Sequence, residues 1–343
     1  MLHFLKYILF SPLAVLYWII IQVRYFLYQM GIKKVQVFDT PIISIGNITI
    51  GGTGKTPMVH FIANELKECY PIIAIISRGY GRKSKGFQLV HDGKNLLSTP
   101  KIAGDEPFLL ANLLANCIIA VDENRCRAIE KIEDEFNPDL ILLDDGFQQL
   151  GIKKNVDIVL MNASKPFSEL RLIPIGLGRE TLNELKRASI LVFTKTEDYI
   201  LPNWENQLRF NSEPFSAIYD SDIWQYTKTG YQKVNKVPKD FYAFCGIADS
   251  NSFKLVLKKH NIKPIGFKAF KDHEPYLDQS MKFLSTKLSS ENIKNIITTE
   301  KDIVKLPDEF LEKYHIFTIR INHIFAEKER FIQKIKYEIE GII

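Results

Sequence analysis

The sequence predicts an α/β protein on a doubly wound parallel sheet, carried in two successive blocks behind an apolar N-terminal segment. Three observations predict it. Short, wholly apolar runs such as Pro71–Ile76 and Leu140–Leu143 alternate with helical patterns, as parallel strands buried on both faces do. The first such run leads through a glycine-rich turn into a helix, in the stretch IISIGNITIGGTGKTP from Ile42 to Pro57. Beyond residue 239 the alternation of strand and helix starts again.

A chain of 343 residues, 46% apolar and 25% charged, has an ordinary globular composition with ample core, and its length suits two domains. The net charge of +5 suits an anionic substrate or a membrane surface. Cys69, Cys117, Cys126 and Cys245 show neither metal-ligand nor C-x-x-C spacing, so they read as small core residues in a reducing compartment.

Residues 1–30 stand apart. Tyr7 to Val23 is free of charge, flanked by Lys6 and Arg24. As a helix this run is about 25 Å long, against about 30 Å of bilayer hydrocarbon. Tyr17, Trp18, Tyr25 and Tyr28 are the amphipathic aromatics of a membrane interface. No small-residue cleavage site follows, so the segment reads as a membrane anchor rather than a removable signal; a buried core helix is the alternative. Residues 31–212 form the first α/β block, with strands at 41–45, 71–76, 118–121, 140–143, 156–160 and 190–194. A polar stretch from Lys83 to Pro100 suits a small hairpin. Residues 213–238 alternate around Lys228-Thr229-Gly230 and read as a β-hairpin linker. The second block, 239–343, has strands near 241–248, 262–267, 293–298 and 315–321, and helices at 250–260, 277–290 and 326–340.

The glycine-rich turn carries the first chemical signal. Gly51, Gly52, Thr53 and Gly54 precede Lys55 and Thr56, the order of a phosphate-binding loop. Backbone N–H groups and the helix N-terminus cradle an anion there. The lysine reaches the β- and γ-phosphates, and the Thr56 hydroxyl holds Mg²⁺. The strict pattern places glycine at position 49, where this chain has Thr49. In LLDDGFQ, Asp144 and Asp145 end an apolar strand, where a carboxylate binds the nucleotide's metal. Asp105 and Glu106 open a helix in GDEP, which suits either N-capping or a general base beside a metal ligand. SRGYGR follows the second strand and offers Arg78 and Arg82 to phosphate and Tyr80 to a ring. A membrane-tethered P-loop ATPase or switch acting on a protein partner is a second reading of these features.

Taken in order, SIGNITIGGTGKTP, SRGYGR, GDEP, LLDDGFQ, RLIPIGLGRE, FTKT, KDHEPY and TTEKD resemble the tetraacyldisaccharide 4′-kinases of lipid A synthesis over nearly the whole chain. The resemblance implies two P-loop-like three-layer α/β/α domains joined by a two-stranded β linker, with the active site in the cleft. It implies ATP and Mg²⁺ as cofactors and an acylated glucosamine disaccharide 1-phosphate as acceptor, phosphorylated on its 4′-hydroxyl. It also implies a monomer without nucleic-acid partners, on the cytoplasmic face of the bacterial inner membrane. Carried onto this sequence, it makes Asp105 and His273 a catalytic dyad alongside Lys55. Thr56, Glu106, Asp144 and Asp145 are then metal ligands, and Arg78, Tyr80, Arg125, Gln148 and Arg179 substrate contacts. LIPIGLGRE departs from the family's usual PAGPLRE at Ile175 and Gly178.

Overall fold

The computed structural model describes residues 2–211, 213–227, 230–234 and 237–341, with side chains from Leu9 onward. The strands are β1 (Ile42–Asn47), β2 (Ile73–Ser77), β3 (Gln88–Asp92), β4 (Ile118–Val121), β5 (Leu140–Asp144), β6 (Val156–Asn162) and β7 (Ile190–Thr194). They continue with β8 (Phe215–Thr227), β9 (Gly230–Lys233), β10 (Phe241–Cys245), β11 (Gly266–Ala269), β12 (Asn295–Thr299) and β13 (His315–Phe325). All belong to one sheet of order β11-β10-β12-β13-β8-β7-β6-β1-β5-β2-β4-β3, with β9 hydrogen-bonded to β8.

The pairing explains the two blocks. From β8 through β7, β6, β1, β5 and β2 to β4 every pair is parallel, and so is every pair from β11 to β13. β1, β2, β5 and β7 are buried along their whole length, which is why they carry no polar face. Helices cover both sides of each block: Lys55–Leu66 and Arg125–Phe136 pack over opposite faces of the first. Ser250–Lys259 and Asp278–Ser290 do the same for the second. Two α/β/α bodies therefore share a continuous sheet.

Three readings from sequence are refined. The expected hairpin within 83–100 forms at the end of β3, where His91 bridges antiparallel to Leu96 and Leu97 N donates to Val90 O at 2.9 Å, and β3 itself is an edge strand paired antiparallel with β4. β8 and β9 do form a hairpin, though its turn residues Lys228 and Thr229 lie outside the described residues. The same β8 also carries a long antiparallel ladder with β13, from Ala217↔Phe325 to Gln225↔Phe317, that makes the sheet continuous between the bodies. The last helix, Lys328–Glu340, was read with the second block. It returns to the first, where Phe331, Ile335 and Ile339 enter the core around Ile43, Ile158 and Val192. Its apolar face repeats every four residues and finds its complement only there.

The N-terminal helix runs from Leu2 to Gln29. Its stretch Leu9–Gln29 is long and apolar enough to cross a membrane, and only 17% of its most apolar window is buried. Leu13, Leu16, Ile20, Val23 and Phe26 are exposed, whereas Ala14 and Ile21 are covered by the body.

Candidate active site

β1 is flanked by β5 and β6, so the chain leaves β1 at the crevice where an open α/β sheet binds ligands. The phosphate loop fills that position. Gly54 stands just before the helix Lys55–Leu66 with φ 87°, a left-handed conformation that glycine adopts without strain. The loop is braced from several directions. Asn47 Nδ2 donates to Thr53 Oγ1 at 2.9 Å, and Thr194 Oγ1 donates to Thr53 O at 2.9 Å. Ile50 N donates to Leu177 O and Arg179 N to Ile48 O, each at 2.7 Å, stitching the segment after β1 to the 171–180 loop. That loop contains both departures from the family motif. A Cβ at Gly178 would meet Leu170 O at 2.7 Å, so this packing needs glycine there.

The two aspartates at the tip of β5 have different surroundings. Asp145 receives both Arg179 terminal nitrogens, at 2.8 and 2.9 Å, and lies 3.5 Å from Lys55 Nζ. Burial works to raise its pKa, but Arg179 and Lys55 outweigh it and hold the carboxyl at about 2. Asp144 accepts one hydrogen bond from Ser77 Oγ at 2.9 Å. Burial, reinforced by Glu106 and Asp145, pushes it up to about 6. Its Oδ1 is buried without a hydrogen-bond partner.

The second body reaches this site from across the cleft. His273 Nδ1 lies 3.1 Å from Asp105 Oδ2. That carboxylate raises the imidazole pKa, outweighing the burial that opposes it. Lys305 Nζ lies 3.6 Å from the same Asp105 oxygen and 3.3 Å from Asp302 Oδ1. Lys301 Nζ donates to Glu106 Oε1. Burial acts to raise the Glu106 pKa, but Lys301, Lys55 and His273 prevail and lower it. Lys55, Glu106, Asp144 and His273 thus share one electrostatic site although they come from four separate segments.

The remaining expected residues have separate surroundings. Tyr80 is exposed, with its ring centroid 5.7 Å from that of His273. Arg78 is exposed at the end of β2. Arg125 is buried and faces Asp144 and Asp145. Gln148 donates to Asn47 O at 2.8 Å, the carbonyl that Arg179 also reaches. Arg82 bonds Glu123 rather than facing the site. Asn47, Lys301, Lys305 and His323 were not singled out from sequence. Lys301 sits within TTEKD, the one motif that marked its neighbourhood.

The donor set fits a hard divalent cation. An unpartnered, buried carboxylate oxygen on Asp144 and the buried Thr56 hydroxyl are oxygen ligands of the kind Mg²⁺ selects. Among the described residues no three His, Cys, Asp or Glu side chains cluster into a complete cage. Mg²⁺ needs none, because it takes one or two carboxylates and completes its shell with phosphate oxygens and water.

A family model described as tetraacyldisaccharide-1-P 4′-kinase matches residues 6–340. The tetraacyldisaccharide 4′-kinase of Desulfotalea psychrophila is 36% identical over 324 residues, covering 92% of this chain and 93% of its own. That of Flavobacterium psychrophilum is 34% identical over 343 residues, covering 97% and 96%. A crystal structure of LpxK from Aquifex aeolicus in complex with ATP superposes with a TM-score of 0.78 at 28% identity, covering 99% of this chain and all of that one. With its fold and its sequence matched over nearly full length, this chain belongs to the tetraacyldisaccharide-1-P 4′-kinase family.

Proposed function

We propose that the protein transfers the γ-phosphoryl group of ATP to the 4′-hydroxyl of an acylated glucosamine disaccharide 1-phosphate at the cytoplasmic face of the inner membrane. The observation that carries this reading is the Asp105–His273 contact, 3.1 Å long, made across the cleft beside Lys55 and Glu106. Family membership supplies the acceptor class.

Phosphoryl transfer demands positioning and charge neutralisation more than covalent participation by the protein. The phosphate loop and Lys55 hold the triphosphate. Asp105 accepts the proton of the attacking hydroxyl, and His273, bonded to it through Nδ1, orients and relays. Asp144, with its open oxygen, and Thr56 would hold the metal, with Glu106 beside them and bonded to Lys301. Asp145 is committed to Arg179 and Lys55 and serves to aim the lysine. A bound Mg²⁺ would supply charge neutralisation to the phosphoryl group. Tyr80, Arg78 and Arg125 line the acceptor side. The chain divides into an anchor, a P-loop body, the β8–β13 ladder and a second body, with the last helix assigned to the P-loop body.

The test is transfer of label from γ-³²P-ATP to a detergent-dispersed tetraacylated disaccharide 1-phosphate. Labelled lipid is the expected product. Release of free phosphate with no labelled lipid would sink the kinase reading in favour of an ATPase switch.

A further inference from the structure

The phosphate loop is gripped from behind by strands outside its own βα unit. Thr194, the last residue of β7, holds Thr53 O. His323 on β13 does the same for the next carbonyl, with Nε2 3.0 Å from Gly54 O. His323 is buried, and burial holds its pKa down to about 4, so the ring is neutral at physiological pH. A carbonyl oxygen only accepts, so Nε2 carries the proton and donates. Nδ1 is then bare, and it is buried without a partner.

His323 is the register partner of Tyr219 on β8, and the two rings meet edge-on at 5.0 Å. Together they close on Gly54. A Cβ built there would lie 2.0 Å from the Tyr219 hydroxyl and 2.9 Å from His323 Cε1 and Nε2. Gly54 O also accepts the helix bond from Met58 N at 3.0 Å, so both of its lone pairs are engaged. In a trans peptide the C=O and the following N–H point in opposite directions. Holding Gly54 O toward β13 therefore turns the Lys55 N–H toward the mouth of the loop, where an anion binds.

We propose that His323 is a positioning residue for the nucleotide: its Nε2–H fixes the Gly54–Lys55 peptide in the phosphate-binding orientation. Because His323 lies on β13, it also ties the loop to the ladder that carries the second body. This inference rests on the reading of the loop as the ATP site.

The test compares two side chains of similar length in the full-length, detergent-solubilised protein. His323→Gln keeps an N–H donor, whereas His323→Met fills the space without one. Affinity for Mg²⁺ with a fluorescent ATP analogue is measured by titration, and melting is followed without nucleotide. The Met variant is expected to bind the analogue about tenfold more weakly, the Gln variant within about threefold of the parent, with similar melting and an unchanged KM for the lipid acceptor. Unchanged nucleotide affinity in the Met variant overturns the proposal, and so does equal weakening in both variants. His323→Phe, which keeps the ring shape, replaces Met in the comparison if the Met variant does not fold. Failure of the parent protein to bind the analogue would instead overturn the ATP-site reading itself.

Discussion

Asp144 and Asp145 are adjacent in sequence, yet the site separates their chemistry. Asp145 is charged and committed to Arg179 and Lys55, whereas Asp144 keeps an open oxygen in a buried place. Asp105→Asn is expected to lower turnover by about 10²–10⁴-fold, the usual worth of a general base, with melting unchanged; a near-normal rate would remove Asp105 from that role. Lys55→Ala is expected to lower it comparably in the same assay. His60 and His323 give a separate pH signal. Burial lowers both from 6.5 to about 4, with Arg320 adding to the effect at His60. Their neutral forms are stabilised in the fold, so stability present above pH 6.5 is lost as the pH falls toward 4. Each histidine contributes a loss of about 1.4 kcal/mol per pH unit in that window. Melting at pH 5 and pH 7 measures it, and His60→Gln should flatten the dependence. The Asp105–His273 pair was legible in sequence because two ordered motifs marked it. Lys301, Lys305 and His323 were not, because a lysine or a strand histidine acquires its meaning only from a partner far away in the chain.

Among the elements, the N-terminal helix does more than its composition announces. Tyr17 donates to Arg179 O at 3.0 Å, and Tyr25 donates to Glu180 Oε2 at 3.0 Å. Arg187 donates to the Tyr25 hydroxyl at 2.8 Å, and Arg24 donates to Gln148 O. The Tyr17 and Tyr25 hydroxyls thereby bond the loop that clasps the phosphate loop. Sequence disclosed the apolar stretch but not the polar residues that dock it, since tyrosines there read equally well as interface aromatics. Removal of residues 1–29 is therefore expected to weaken nucleotide binding severalfold as well as membrane partition. Nucleotide titration in detergent, where partition plays no part, checks the first effect. Threading Leu9–Gln29 across a bilayer would carry the polar groups at Gln148, Arg179 and Glu180 into hydrocarbon, where each unsatisfied one costs several kcal/mol. The helix is expected to lie in the interface, and a cysteine introduced at Leu13 should not be labelled from the far side of sealed vesicles.

For the whole molecule, the strand alternation was enough to read an α/β architecture, because wholly apolar runs have few other uses. It did not reveal that β8 leaves the first body and β13 returns to it, since register between distant strands is set by the assembled sheet. Nor did it place the last helix, whose amphipathic pattern states that a face is buried but not against what. Phe331→Ala should show where that helix belongs. A loss of about 3–5 kcal/mol is expected, read as a lower denaturation midpoint for the nucleotide-binding body; a midpoint unchanged from the parent would place the ring outside its core.

That return of the chain bears on how the protein is made. Phe325, Phe331, Ile335 and Ile339 complete a core whose other members begin at Ile43, and the whole second body is translated in between. Domains ordinarily fold one after another as they leave the ribosome. Here the phosphate loop's own hydrophobic support is finished last. A nascent chain stalled before Lys328 would present its membrane helix and every motif from SIGN to TTEKD, yet its nucleotide-binding body would still lack its closing layer. The chain is therefore expected to hold ATP only once its final helix has docked, and a chain ending at Glu327 should fail to bind the fluorescent ATP analogue.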